Sequence, residues 1–261
     1  MTFRAAVLLA TVLVGVASVA QASGPVSSLY LTQDGQILIV RGNTITSFPD
    51  AYGNTGQLPI AVSGDVRTAG WNQTFRVGGQ YTLSGVPTGT SYMLPSVIGE
   101  SYDGTTDGSY NYIVDYQFGI VYRTNRDYTN PVALFSPQYS GWAVTYDATN
   151  NSLWVSDEAY GVVDDFSLSG TLLSSFNTGH MFGAALALDP ADETLWLVND
   201  DGHSTDYGYL EQYSKAGALL SIGPYVGQTW GGEFNTPEPS SFALLCSGVG
   251  ILFWQYRLRR G

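Results

Sequence analysis

The residues best suited to chemistry are acidic and sit in glycine-containing loops. Asp200-Asp-Gly-His-Ser-Thr-Asp206 puts three carboxylates and two hydroxyls in one short stretch, and Asp103-Gly-Thr-Thr-Asp107-Gly108 offers a smaller set. Hard divalent cations take several oxygens converging from a loop, which makes Asp200, Asp201 and Asp206 candidate metal ligands and Ca2+ the ion they would hold. An EF-hand is not among the options. A twelve-residue window opening at Asp200 closes on Glu211, but Gly202, Ser204 and Thr205 stand at its third, fifth and sixth positions, where that loop needs oxygen ligands and then glycine. The competing reading is that Asp and Gly are there because tight turns use them.

Nucleophilic catalysis finds less support. A triad needs a His held by a carboxylate and facing a hydroxyl, and His203 has Asp200, Asp201, Ser204 and Asp206 beside it only as neighbours along one polar connection. His180, in Asn177-Thr-Gly-His-Met181, reads as a turn or packing residue. The single cysteine, Cys246, lies close to the C-terminus, so residues 23–236 hold no thiolate nucleophile, disulfide or Cys-based metal site. No catalytic residue is assigned.

These loops need a scaffold, and the pattern of the chain supplies one. Short apolar runs such as Ile37-Leu-Ile-Val40, Tyr112-Ile-Val114, Leu153-Trp-Val155 and Leu195-Trp-Leu197 alternate with turn residues, and residues 23–236 show no sustained helical period. The body is all-β. Val144-Thr-Tyr-Asp147, Ser152-Leu-Trp-Val155 and Asp165-Phe-Ser-Leu-Ser-Gly170 are echoed by Leu186-Ala-Leu-Asp189, Thr194-Leu-Trp-Leu197 and Gln212-Tyr-Ser-Lys-Ala-Gly217, with Asp147 to Asp189 and Trp154 to Trp196 both 42 residues apart. Asp115 and Gly119 stand 42 residues before Asp157 and Gly161, and a weaker copy runs through Phe75 to Gly85.

A unit of about 40 residues holding four strands is one propeller blade, and the body has room for five. Within each unit the Asp closes an inner strand, the Trp packs between blades, and Phe-Ser-Leu-Ser-Gly makes an outer hairpin. Ring closure is expected to pair Leu29-Tyr-Leu31 or Ile37–Val40 with residues near Tyr225 to Trp230. A β-sandwich or a parallel β-helix is the alternative. In general pattern the repeats resemble the NHL and lactonase-like propellers. That resemblance implies a rival function, a secreted hydrolase or lyase whose divalent cation would sit in the central channel among Glu100, Asp115, Asp157, Glu158 and Asn199. Asp115 and Asp157 recur at one place in the repeat, which favours a structural use. Exposed Tyr and Trp, including Tyr102, Tyr110, Tyr112, Tyr116, Tyr160, Tyr207 and Tyr209, are candidates for stacking on sugar rings, against the plainer use of packing blades.

The ends read as export signals. Met1-Thr-Phe-Arg4, an apolar run from Ala5 to Ala20 and Ala20-Gln21-Ala22 make residues 1–22 a signal peptide, with Ala20 and Ala22 marking the cleavage site. Residues 237–261 begin Pro237-Glu238-Pro239-Ser240, continue through the uncharged run Phe242–Tyr256 and end on Arg257, Arg259 and Arg260. As a helix this run would cover about 22 Å of a bilayer core about 30 Å thick, a short single C-terminal transmembrane helix with its arginines on the cytoplasmic side. This tail resembles the PEP-CTERM sorting signal of bacterial envelope proteins, although Cys246, Trp254, Gln255 and Thr236 are less usual there. The resemblance implies a Gram-negative cell, an exosortase-type membrane protease that processes the tail, transient residence in the inner membrane, and a final place on the surface or in the extracellular matrix. Retention of the tail would make the protein an anchored sensor instead.

Charge narrows the partners. With both end segments set aside, Arg41, Arg67, Arg76, Arg123, Arg126 and Lys215 face 21 acidic residues, a balance of −15. Such a body is unsuited to nucleic acid or anionic lipid. The expectation is a non-catalytic binding or structural role with an exopolysaccharide or protein partner.

Overall fold

The computed structural model describes residues 24–52 and 56–235, so the signal peptide with Ala20 and Ala22, the sorting motif Pro237, Glu238, Pro239, Arg257, Arg259 and Arg260, and the expected C-terminal helix lie outside the described residues. Strands β1 (Leu29–Gln33), β2 (Gln36–Arg41) and β3 (Thr44–Pro49) belong to the first blade. The second is β4 (Gln57–Val62), β5 (Val66–Gly70), β6 (Val77–Tyr81) and β7 (Pro87–Met93), and the third β8 (Gly104–Thr106), β9 (Tyr110–Asp115), β10 (Ile120–Asn125) and β11 (Val132–Phe135). The fourth is β12 (Gly141–Asp147), β13 (Ser152–Asp157), β14 (Val162–Ser167) and β15 (Leu172–Asn177), and the fifth β16 (Gly183–Asp189), β17 (Thr194–Asn199), β18 (Tyr209–Tyr213) and β19 (Leu219–Tyr225). Finally β20 (Gly232–Phe234) pairs antiparallel with β1, Leu29 opposite Phe234 and Leu31 opposite Gly232, and completes the first blade. The result is a five-bladed β-propeller of four-stranded antiparallel sheets. Closure uses the expected Leu29–Leu31 strand, but its partner begins just after Trp230, because Gln228–Gly231 forms the loop that turns the chain into the axis.

The inner strands β4, β8, β12, β16 and β20 neighbour one another around that axis. Convergence limits side-chain size there, which is why β16 reads Gly183-Ala-Ala-Leu-Ala-Leu-Asp189 and is buried throughout. Backbone donors on the unpaired inner edges of β12 and β16 are met by threonines of the neighbouring inner strands. Thr105 Oγ1 accepts from Tyr146 N and Thr145 Oγ1 from Leu188 N, both at 3.0 Å. Trp154 is buried in a cluster with Ala184 and Leu186 of the next blade, and Trp196 in one with Leu29, Leu31 and Phe234. Both tryptophans therefore fill the spaces between blades, as their period suggests.

The outer hairpin repeats in the second, fourth and fifth blades, the weaker copy through Phe75 to Gly85 included. Tyr81-Thr-Leu-Ser-Gly85, Phe166-Ser-Leu-Ser-Gly170 and Tyr213-Ser-Lys-Ala-Gly217 make the same turn, with glycine φ of 84°, 82° and 82°. A Cβ at these glycines would stand about 2.4–2.5 Å from Phe48, Phe135 or Phe176 of the preceding blade. Glycine is needed twice over, for the left-handed backbone and for the close approach.

On the opposite side from the functional face described below, an Asx residue follows or ends each inner strand and ties blades together. Asn235 Oδ1 accepts from Gly64 N, Asp65 bridges Arg67 and Arg126, Asp147 holds Lys215 at 2.7 Å, and Asp189 accepts from Ser27 Oγ at 2.6 Å. Asp107 accepts from the Tyr112 hydroxyl at 2.7 Å, and that ring stacks on Tyr146 of the next blade. Asp147 is fully buried and also accepts from Trp154 Nε1. Replacing Lys215 with Ala removes the cation from this carboxylate, leaving it the bonds from Thr149 and Trp154, and is expected to cost about 1–2 kcal/mol in urea unfolding, since solvent at the lysine softens the loss. A cost indistinguishable from zero would remove this tie from the list of blade fasteners.

Candidate functional site

Strand direction places the turns after β1, β5, β9, β13 and β17, and the connections into the five inner strands, on one face of the disc. Three tryptophans on this face adjoin glycines, in Gly70-Trp71, Gly141-Trp142 and Trp230-Gly231. Each glycine is where backbone or side chain passes too close for a Cβ. Nearest atoms would be Phe75 O at 1.9 Å from Gly70, Val114 Cγ2 at 2.4 Å from Gly141 and Leu58 O at 2.3 Å from Gly231. The glycines let three separate loops crowd together, and the crowding brings their aromatic neighbours into contact.

Tyr102 is the hub. Its ring stacks on Trp142 (centroids 4.6 Å, planes 25° apart), on Trp230 (5.5 Å, 26°) and on Trp71 (6.0 Å, 20°), and meets Tyr116 edge-on at 5.3 Å. Trp71 in turn stacks on Phe75 at 6.2 Å and 10°. Offset pairs like these contribute about 0.5–1.5 kcal/mol each beyond simple burial, so the arrangement is stiff before any ligand arrives. Backbone bonds hold the loops in step: Ser101 N donates to Trp71 O (2.7 Å), Trp230 N to Thr32 O (3.0 Å) and Thr32 N to Gly231 O (2.8 Å). Gln33 Nε2 donates to Val226 O and Gln228 O, bracing the loop that carries Trp230.

The rings floor a cleft of about 330 Å³ lined by Asp34, Leu58, Trp71, Phe75, Tyr102 and Trp230. A second hollow of about 210 Å³ continues from it, sharing Asp34 and Trp230 and adding Gln33 and Gln228. Acid frames the floor. The Tyr102 hydroxyl points to Glu100 Oε2 (3.5 Å) and the Tyr116 hydroxyl donates to Glu158 Oε1 (2.9 Å). Burial, then Glu100 and Tyr116, push the Tyr102 hydroxyl up to about 12, so it stays protonated and can donate.

The residues singled out from the sequence are distributed differently. Asp115, Asp157 and Asn199 stand at equivalent strand ends and cap their own turns, Asp115 Oδ1 accepting from Gln117 N and Phe118 N, Asp157 Oδ1 from Ala159 N, and Asn199 Oδ1 from Asp201 N. Asp103 and Asp107 flank the two ends of β8 and face opposite sides of the disc, so they do not form one loop site. Asp201 accepts from His203 N, and Asp200 lies beside Gln228 with burial raising its carboxyl to about 6. Among the described residues no three His, Cys, Asp or Glu side chains, Asp200, Asp201 and Asp206 included, converge as a metal cage. His180 Nε2 is 3.6 Å from the buried Glu211, which also accepts from the Tyr213 hydroxyl. His203 is exposed beside Asp201. Among the described residues neither imidazole is hydrogen-bonded to a hydroxyl group.

Of the tyrosines expected to stack on sugars, Tyr102 and Tyr116 are in the cluster. Tyr112 is buried between blades, Tyr110 lies under the Arg123 guanidinium, and Tyr209 packs on Tyr225. Tyr160 is exposed in the turn after β13, and burial raises Tyr207 beside Asp200. The tryptophans that join Tyr102 and Tyr116 in the cluster, Trp71, Trp142 and Trp230, are marked in the sequence only by an adjacent glycine, at places the 42-residue period does not connect.

No family model and no curated protein matches the chain. Among solved structures it is similar to a chain in a nidogen/laminin complex, at 13% identity and a TM-score of 0.56 over 80% of this chain and 98% of that one. It is also similar to virginiamycin B lyase from Staphylococcus aureus, at 16% identity and a TM-score of 0.44 over 74% of this chain and 65% of that one. A functionally unknown protein from Desulfotomaculum acetoxidans aligns at 12% identity and a TM-score of 0.47, over 81% of this chain and 89% of that one. At these identities the likeness is one of fold.

Proposed function

We propose that this chain is an exported, non-catalytic binding protein of the cell envelope or extracellular matrix, and that its aromatic cleft takes the ring faces of a glycan. One observation carries the binding role. Trp71, Tyr102 and Trp230 come from three loops, yet their planes lie within about 26° of the Tyr102 ring and floor one open cleft. Sugar rings present flat C–H faces that bury well on such surfaces, and their hydroxyls need polar edges, which Gln33, Asp34 and Gln228 supply. The export role rests on the leader and on the likeness of residues 237–261 to a sorting tail.

Titration with oligosaccharides, followed by tryptophan fluorescence and calorimetry, tests the binding role. Trp71→Ala is expected to weaken affinity about tenfold, the size of one lost stacking contact. Trp196→Phe, buried between blades away from the cleft, serves as the control. Saturable binding unaffected by Trp71→Ala would overturn the placement of the site. The sorting role is tested by intact mass of the surface fraction in cells with and without the processing protease. A mature protein that keeps Phe242–Gly261 in both would overturn it.

A further inference from the structure

The charge layout of the disc goes further than a generic glycan site. Arg67, Arg126 and Lys215 are in ion pairs on the face opposite the cleft, and Arg41 ends β2 on that same opposite side. Arg123 lies over the Tyr110 ring in the body of the third blade. Among the described residues only Arg76 belongs to the aromatic face, and its guanidinium donates to the Leu94 carbonyl at 2.7 and 3.1 Å. Around the cleft, by contrast, stand Asp34, Glu100 and Glu158, with Asp200 beside Gln228.

Asp34 is exposed in the tight turn between β1 and β2 and lines both hollows. Among the described residues it is in no ion pair and accepts no hydrogen bond. Tryptophan and tyrosine faces attract cations through their ring quadrupoles, and a carboxylate at the edge adds to that attraction. We propose that the ligand of the cleft is a sugar bearing a free ammonium, as in a de-N-acetylated amino-sugar polymer, with the ammonium seated between Asp34 and the Trp71 and Trp230 rings. This rests on the glycan reading of the cleft and adds the charge of its ligand.

The test compares cellotetraose, chitotetraose and fully de-N-acetylated chitotetraose against the mature protein, by tryptophan fluorescence and calorimetry at low and high NaCl. The de-N-acetylated tetramer is expected to bind about tenfold tighter than either neutral one, with the advantage shrinking in high salt. Asp34→Asn is nearly isosteric and leaves Gly35 to take the positive φ of the turn, and it is expected to cut the ratio of cationic to neutral affinity several-fold. Asp192→Asn, on the opposite face, should leave the ratio as it is. Equal affinities for all three tetramers would overturn the ammonium assignment and leave the glycan reading standing. Failure of every sugar to bind would overturn the glycan reading itself. Tetralysine binding as tightly as the cationic sugar would overturn the choice of a sugar over a basic peptide.

Discussion

Asp103→Ala is expected to lower the unfolding free energy by about 3–5 kcal/mol. Asp103 is fully buried at the mouth of β8 on the propeller axis. One oxygen accepts from Gly104 N (2.8 Å) and Gly232 N (2.9 Å), and the other from Val144 N (3.2 Å). Those donors belong to the inner strands of the third, first and fourth blades, so one carboxylate ties three blades at their narrowest point. Alanine would leave all three buried N–H groups unmet, and each costs about 1–3 kcal/mol to strand. Offsetting this, burial and the nearby Glu233 raise the Asp103 carboxyl well above the usual range, against the pull of its three donors, so its removal also relieves a costly buried acid. Asp103→Asn keeps the oxygen that serves Gly104 and Gly232 and should cost roughly 1–2 kcal/mol. Urea titration of the three proteins checks the order. An alanine variant within about 1 kcal/mol of the parent would show that the strands close without this post.

In the sequence Asp103 has the look of a loop ligand, and its real place on the axis marks where the sequence stops being legible. The fourth and fifth blades could be read directly, since Asp147 and Asp189, Trp154 and Trp196, and the Phe-Ser-Leu-Ser-Gly hairpin recur at a near-constant spacing. The first blade could not, because its inner strand is β20, some two hundred residues away in sequence from β1. The third blade hides its hairpin glycine as well. Tyr128 takes the left-handed position at φ 61° and uses its hydroxyl to reach Arg67 O of the second blade at 3.0 Å. Asp103 and Asp107 look like one acidic loop until a three-residue strand is recognised between them, and so short a strand has no period to read. The cleft was hidden for a related reason. Repeats reveal what every blade shares, whereas Trp71 follows a second strand, Tyr102 precedes an inner strand and Trp230 sits in the closing loop. A site assembled from positions that differ between blades leaves no periodic trace.

Glu233 carries the second large expectation, a fall in stability as pH rises from about 5 to 8. The side chain is buried on β20, and burial is the main force lifting its carboxyl from 4.5 to about 8, against hydrogen bonds from Thr105, Phe234 N and Thr106 N. One oxygen, Oε2, is buried with no hydrogen-bond partner among the described residues. Its folded value lies above its unfolded one, so the folded chain holds a proton that the unfolded chain has released. The associated stability is fully present below about pH 4.5 and is lost as pH rises through about 8. The slope cannot exceed about 1.4 kcal/mol per pH unit, which makes the total on the order of a few kcal/mol. Asp147, whose burial is outweighed by Lys215, Thr149 and Trp154 so that its carboxyl sits low, acts in the opposite sense but only in more acidic solution. Urea unfolding at pH 5 and pH 8 should therefore show the parent weakening more steeply across the interval than Glu233→Gln, which keeps only the same-signed contributions of carboxyls such as Asp103 and Asp200 that burial also raises. Parallel profiles for the two proteins would mean that Glu233 is charged in the folded ring. Because β20 is the strand that closes the ring on β1, the linkage acts on closure itself: mildly acidic conditions favour the latched first blade, and deprotonation at Glu233 puts an unpaired charge beside Asp103 on the axis.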